Sequence, residues 1–177
     1  MRSPDITVVT PTIVGRENLL AECHASVEQF GLPHLIEIDV ERDGPAAVRN
    51  RLIQQVHAEW TLFLDDDDLL FPNYLDAVRE HLPFADIVYT GWQISGATGP
   101  FPLPTFDPDV LRQYNTIPVT ACVRTEALWA VGGFPDAELE DYALWLALLD
   151  AGYRFTYVPV IAWHYRRFPG SRTEEVA

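Results

Sequence analysis

The segment Phe63-Leu64-Asp65-Asp66-Asp67-Asp68-Leu69-Leu70 sets four carboxylates side by side between apolar flanks. Adjacent like charges repel, and each loses hydration on partial burial, so the run needs a positive partner. Mg2+ or Mn2+ meets that need, because these ions prefer hard oxygen ligands and use one or two carboxylates together with substrate phosphates. In extended chain alternate residues share a face, which directs Asp65 and Asp67 one way and Asp66 and Asp68 the other. One face then serves metal, the other hydroxyl or backbone groups. The competing reading is a solvated acidic turn that caps the following helix. The position directly after the apolar run Trp60-Thr61-Leu62-Phe63-Leu64 favours the metal. A second pair, Glu140-Asp141, opens an apolar segment, where two carboxylates suit either the positive end of a helix dipole or a general base.

The elements that must position these groups follow from periodicity. Residues 5–10, DITVVT, form a β-branched run that ends at Pro11-Thr12, as a buried parallel strand feeding a loop would. Leu19, Cys23, Val27 and Phe30 then recur at helical spacing. Residues 35–40 predict a second strand closed by Asp43-Gly44-Pro45, and Val48, Leu52, Ile53 and Val56 mark a second helix. Residues 60–64 predict the third strand, Pro72 the start of a third helix, and residues 86–90 the fourth strand. This alternation predicts an α/β fold with a mostly parallel central sheet and helices on both faces. Ligands of such sheets bind beyond the carboxyl ends of the strands, where Pro11-Thr12, Asp43-Gly44 and the aspartates share one rim.

The second half has a different texture. Residues 91–118 are rich in Gly and Pro and predict an irregular stretch with one short helix near residues 109–114. A strand over 119–123, a short helix over 125–130, a turn at Gly132-Gly133, a buried helix over 140–151 and one or two strands over 153–165 follow. The 177 residues suffice for one domain that buries roughly two-thirds of its unfolded surface. No linker divides them, so the whole chain 1–177 reads as one domain.

Composition narrows the ligand. A net charge of −14 with 12 scattered Lys and Arg disfavours duplex nucleic acid, although a small anion can bind through a divalent cation. Cys23 and Cys122 lack metal or CxxC spacing and read as small buried hydrophobes. Neither a signal segment nor an apolar run long enough to span a membrane is present, which points to a cytoplasmic protein.

Taken in order, ITVVTPT, Asp43-Gly44, Arg49-Asn50, WTLFLDDDDLLFPNYLD, GGFPD and Glu140-Asp141 with ALWLALLDAG resemble the family-two inverting glycosyltransferases with the GT-A, Rossmann-like fold. The resemblance spans Ile6 to about Arg167 and lies in the order and spacing of the motifs. It implies a nucleotide-diphosphate sugar donor, foremost a uridine diphosphate sugar, seated over the first three strand ends. It also implies an acceptor hydroxyl on a saccharide, protein or small molecule, and division into a nucleotide half (1–94) and an acceptor and base half (95–177).

On that resemblance Pro11 and Thr12 touch base or ribose, and Asp43 accepts a hydrogen bond from the base. Asp65 and Asp67 match the ends of the DxD motif, with Asp67 the metal contact and Asp66 or Asp65 the ribose contact. Arg49 meets a phosphate or braces the carboxylates. Asp141 is the base that takes the acceptor proton, and Glu140 its support. His164 matches a late histidine that some relatives use as a further metal ligand, and Arg166 or Arg167 neutralises the leaving diphosphate. Trp92 is a candidate acceptor platform, and Trp145 packs beneath the base loop. The chain departs from the pattern at Arg42, Ala143 and Ala147, and it ends soon after Arg172, without the extensions that hold acceptors in many relatives. A nucleotidyltransferase on a similar sheet and a non-catalytic nucleotide-sugar binding domain are the rival readings. The first would need a Gly-rich basic loop, for which PTIVGREN offers only Gly15 and Arg16.

Overall fold

The β-branched run Ile6–Thr12 is β1, buried along almost its full length, as expected of a strand covered on both faces. The computed structural model describes residues 5–95, 100–101 and 105–167. Gly96, Gly99, Pro102 and Pro104 of the predicted irregular stretch, and the tail that holds Arg172, lie outside the described residues. β1 pairs in parallel with β2 (His34–Ile38) on one side and β3 (Trp60–Phe63) on the other, with Val8 opposite both His34 and Leu62. The connections are α1 (Glu17–Glu28) and α2 (Pro45–Ile53). Three strand ends thus meet at one rim, where the Asp39 N–H donates to the Thr12 carbonyl at 2.7 Å and the Leu64 N–H to the Val9 carbonyl at 3.2 Å.

After β3 the chain adds β4 (Leu69–Leu70), α3 (Tyr74–Arg79), a 3-10 turn (Leu82–Phe84), β5 (Ile87–Ile94), β6 (Pro100–Phe101), α4 (Pro108–Leu111), β7 (Ala121–Arg124), α5 (Thr125–Val131), α6 (Glu140–Asp150) and β8 (Phe155–Tyr165). The sheet order is β2-β1-β3-β7-β5-β8-β4, with β6 paired to β5. β7 inserts antiparallel between β3 and β5, and β8 runs parallel to β5. β1, β2, β3, β5 and β8 therefore point the same way, while β4, β6 and β7 reverse.

Alternation along the central strands splits two cores. Val9, Phe63, Ile87 and Tyr89 face α2, α5 and α6, packing on Val48, Leu52, Leu128, Leu144 and Trp145. Val8, Leu62 and Val88 face α1 and α3, packing on Cys23, Val27, Tyr74 and Val78. Helices on both faces thus enclose the sheet. The free thiols of Cys23 and Cys122 are buried, and burial pushes Cys23 up to about 12.

Two elements differ from the periodicity. The third helix begins at Tyr74, because the Phe71 N–H and the Asn73 side chain bond to the Ala162 and Ile161 carbonyls of β8 and hold Phe71 to Asn73 against the sheet. β4 is a two-residue strand that pairs Leu69 with His164 and Leu70 with Trp163.

The two halves are clamped by Asn50 on α2. Its Nδ2 donates to the Phe134 carbonyl and its Oδ1 accepts from the Phe134 N–H, each at 2.8 Å. Gly133 makes room for this: its φ is +77°, and a Cβ there would lie 2.3 Å from Asn50 Oδ1. Gly133→Ala combines left-handed strain with loss of the clamp and is expected to cost about 3 kcal/mol in urea unfolding. Gly31→Ala, at φ +64° with nothing near the added atom, carries the backbone term alone, about 1 kcal/mol.

Candidate functional site

β3 delivers the chain into the interior at Leu64, after which the aspartates fold back in a turn closed by the Asp68 N–H on the Asp65 carbonyl at 3.0 Å. This turn overrides the alternation of extended chain. Carboxylate oxygens of Asp65, Asp67 and Asp68 lie within 4.8 Å of one another, so Asp68 joins the face predicted for Asp65 and Asp67 alone. Asp66 points instead toward β1. Its Oδ2 accepts from Thr12 Oγ1 at 2.5 Å and its Oδ1 from Arg16 Nη1 at 2.6 Å. Arg16 also reaches Asp67 Oδ2 through Nη2 at 2.6 Å.

Two of the four aspartates are fully buried. Asp66 and Asp68 are 1% exposed, and burial is the main cause that raises the carboxyls of Asp66, Asp67 and Asp68. Asp68 is raised furthest, since the charges of Asp65 and Asp67 add to its burial. The Arg166 backbone N–H on Asp68 Oδ1, at 3.1 Å, opposes this. A cluster made of oxygen donors alone fits a small hard dication.

Arg49 sits on the buried side of α2 beside Val48, Leu52 and Ile53. Nη2 donates to Asp65 Oδ1 at 2.5 Å and Nη1 to Glu140 Oε1 at 3.1 Å, while the guanidinium lies 5.2 Å from the Phe134 ring centroid. One side chain therefore joins the acidic turn to the first residue of α6, and of the two roles predicted for Arg49 the structure displays the bracing one. The neighbouring carboxylate is held differently. Asp141 Oδ1 accepts the Tyr142 N–H at 2.7 Å and Oδ2 accepts from Asn115 Nδ2 at 3.1 Å. Its carboxyl is raised, by burial first and then by the charge of Glu140.

Other predicted residues lie elsewhere. His164 is not in the acidic cluster: its Nε2 meets Ser95 Oγ at 2.8 Å and its ring stacks near Phe71, so Asp68 is the third potential metal-binding side chain. Arg166 is fastened to the Asp67 carbonyl, Glu22 and the Leu19 carbonyl, which makes it a fixed part of the acidic turn. Arg167 lies over the Tyr165 ring. Trp145 is core, donating to the Ile117 carbonyl at 3.1 Å, and the half-buried Trp92 packs on Trp163.

At the second loop Asp43 is exposed and its Oδ2 accepts from Arg51 Nη1 at 2.8 Å. The buried acid there is Asp39, which accepts the N–H groups of Asp43 and Gly44 at 2.9 and 2.8 Å and so shapes the loop. Pro11 is half-buried beside Glu37 of β2. Asp39 and Asn115 lie outside the site residues predicted from sequence, Arg16 figured there only as thin support for a basic loop, and Asp68 was set on the face opposite Asp65 and Asp67. Asp39 carried a local signal as the acid next to the end of the predicted second strand, and Asp68 as a member of the acidic run.

This mixed sheet with its acidic turn beyond β3 has the GT-A architecture of sugar-nucleotide transferases. The chain belongs to glycosyl transferase family 2, whose profile matches residues 16–116. Comparison with curated protein sequences finds no match. Among solved structures, residues 1–349 of TarS from S. aureus superpose with a TM-score of 0.73 at 16% identity, covering 92% of this chain and 60% of that one. The same fragment in complex with UDP-GlcNAc gives 0.73 at 17% identity, covering 96% and 60%. The mannosyltransferase PcManGT from Pyrobaculum calidifontis, in complex with GDP-Man and Mn2+, gives 0.68 at 18% identity, covering 97% and 59%. The chain thus spans about three-fifths of the length of these structures. Among the described residues, no helix is long and apolar enough to cross a membrane.

Removing Arg49 strands two acids around a buried site. Arg49→Ala is expected to cost about 3 kcal/mol in urea unfolding, against about 1 kcal/mol or less for Arg112→Ala, whose pair with Asp150 is exposed.

Folded Asp66, Asp67, Asp68 and Asp141 hold protons more tightly than the unfolded chain does, so above the ordinary value of 3.8 their contribution to stability falls as pH rises through the raised values. In chelator-containing buffer, mild acidification from neutrality should raise the Tm. Asp68→Asn should flatten that dependence.

Proposed function

We propose that the chain is one catalytic domain that transfers a sugar from a nucleotide-diphosphate donor to an acceptor hydroxyl with inversion, in a divalent-cation-dependent reaction. The observation that carries the reading is the Arg49 bridge, which holds Asp65 of the acidic turn and Glu140 of the base pair on one guanidinium. On this reading the core, through Arg49, sets the donor and base sites against each other.

Asp67, with Asp65 and Asp68, would hold Mn2+ or Mg2+, which when bound neutralises the diphosphate as a leaving group. The chain's own residues do the rest. Thr12 and Asp66, bonded to each other at the end of β1, form the buried floor beneath the ribose, and Pro11 and the loop shaped by Asp39, with Asp43 at its tip, receive the base. Glu140 is fixed by Arg49, leaving Asp141 to take the acceptor proton. Its raised carboxyl makes it a stronger proton acceptor than an ordinary aspartate. The acceptor oxygen forms the new bond at the anomeric carbon opposite the diphosphate, whose bond to that carbon breaks, so configuration inverts.

A uridine diphosphate sugar is the first donor to test, since TarS was solved with UDP-GlcNAc and with UDP, and a guanosine diphosphate sugar the second, after PcManGT with GDP-Man. The acceptor is a hydroxyl of a saccharide, a protein or a small molecule. Residues 1–94 form the donor half and residues 95–177 the acceptor and base half.

With a donor that wild type uses, Asp141→Asn is expected to lower kcat by about 10²-fold or more, the usual share of general-base catalysis, while donor KM changes little. Asp67→Asn is expected to abolish stimulation by Mn2+. Full turnover by both variants would overturn the mechanism, and UDP binding with no transfer or donor hydrolysis would make the chain a binding domain.

A further inference from the structure

The acidic turn carries its own cations, and they differ in how firmly they are held. Arg49, on Asp65, has a side chain 4% exposed, and Arg166, against the Asp67 carbonyl and Asp68, has one 10% exposed. Neither can leave without opening the packing around it. Arg16 is different. Its side chain is 32% exposed, and it reaches Asp66 and Asp67 from the loop between β1 and α1. It follows Gly15 at φ +94°, and the neighbouring Ile13 and Val14 are themselves exposed, so little packing restrains the loop. One of the two oxygens that Arg16 holds belongs to Asp67, the carboxylate assigned above to the divalent cation. A guanidinium and a dication that share one carboxylate repel each other, so each weakens the other's hold. Asp66 is not stranded if Arg16 departs, because Thr12 still donates to its other oxygen.

We propose that Arg16 is an internal counter-cation that competes with the divalent ion for Asp67 and, once the ion engages that carboxylate, turns to the diphosphate of the nucleotide sugar. The planar fork that now spans two carboxylates fits two phosphate oxygens equally well. Metal alone then binds weakly, because it must displace a cation already in place. Metal with nucleotide binds tightly, because the displaced cation gains a new partner. The proposal rests on the divalent-cation reading of the turn.

The test is Mn2+ titration, followed by the paramagnetic resonance of the free ion, and UDP titration at saturating Mn2+, on wild type and Arg16→Gln. The variant is expected to bind Mn2+ alone about tenfold more tightly and UDP with Mn2+ about tenfold more weakly, each corresponding to about 1.4 kcal/mol. Opposite signs separate this role from structural damage, which would weaken both. Unchanged or weaker Mn2+ binding by Arg16→Gln overturns the proposal while leaving the metal site standing. Absence of Mn2+ binding in both proteins overturns the metal reading and, with it, the competition. Should Arg16→Gln fail to fold by circular dichroism, Arg16→Lys, which keeps the charge and loses the fork, is expected to shift both affinities in the same directions by a smaller factor. No shift in Arg16→Lys overturns the proposal.

Discussion

A single buried guanidinium shared by Asp65 and Glu140 is the constraint around which the site is organised. Arg49 is desolvated by the core yet faces acids from two distant parts of the chain, one beyond β3 and the other at the start of α6. Burial of a lone charge is costly, and the cost is met only while both acids stay within reach. The distance between the acidic turn and the Glu140-Asp141 pair is therefore tied to the integrity of the hydrophobic core. Asn50, the next residue on α2, repeats the linkage in uncharged form by clamping the backbone of Phe134. Adjacent residues of one short helix thus bind the second half of the chain to the first by an ionic and a neutral contact.

The acidic turn shows how local geometry decides chemistry. Four consecutive carboxylates in extended conformation would divide two and two. The hydrogen bond that closes the turn between Asp65 and Asp68 regroups them as three and one, and Asp66 is handed to Thr12 and Arg16. The carboxyls of Asp67 and Asp68 are raised by burial first and by the charge of neighbouring aspartates second, and a cation would oppose both effects.

Much of the framework was legible because the physics behind it is local. Buried strands such as β1 and β3 read as apolar runs, α2 and α6 as helices, and the strand ends marked the rim. Arg49-Asn50 and Glu140-Asp141 stood out as motif residues. What could not be read depends on long-range placement. No periodicity says that β7 enters between β3 and β5, or that a two-residue β4 pairs with β8. The partners of Arg16 and Arg166 are 50 or more residues away in sequence, and Asn115 sits in a stretch whose composition signals only a turn. The face of Asp68 was misread because alternation was extended past the point where the strand stops.

The position of β7 also governs how freely this scaffold can vary. Because β7 lies beside β5, with Tyr89 opposite Ala121, the chain leaves and re-enters the sheet on neighbouring strands. The connection between them closes a gap that does not grow with its length, and doubling a flexible loop adds only about 0.6 kcal/mol of closure entropy. Insertions there leave the β3–β7–β5 pairing, the Arg49 bridge and the Asn50 clamp in place. The sheet thus works as a fixed socket with an exchangeable insert, and new surface can be built next to Asp141, which Asn115 of that connection contacts, without refolding the acidic turn.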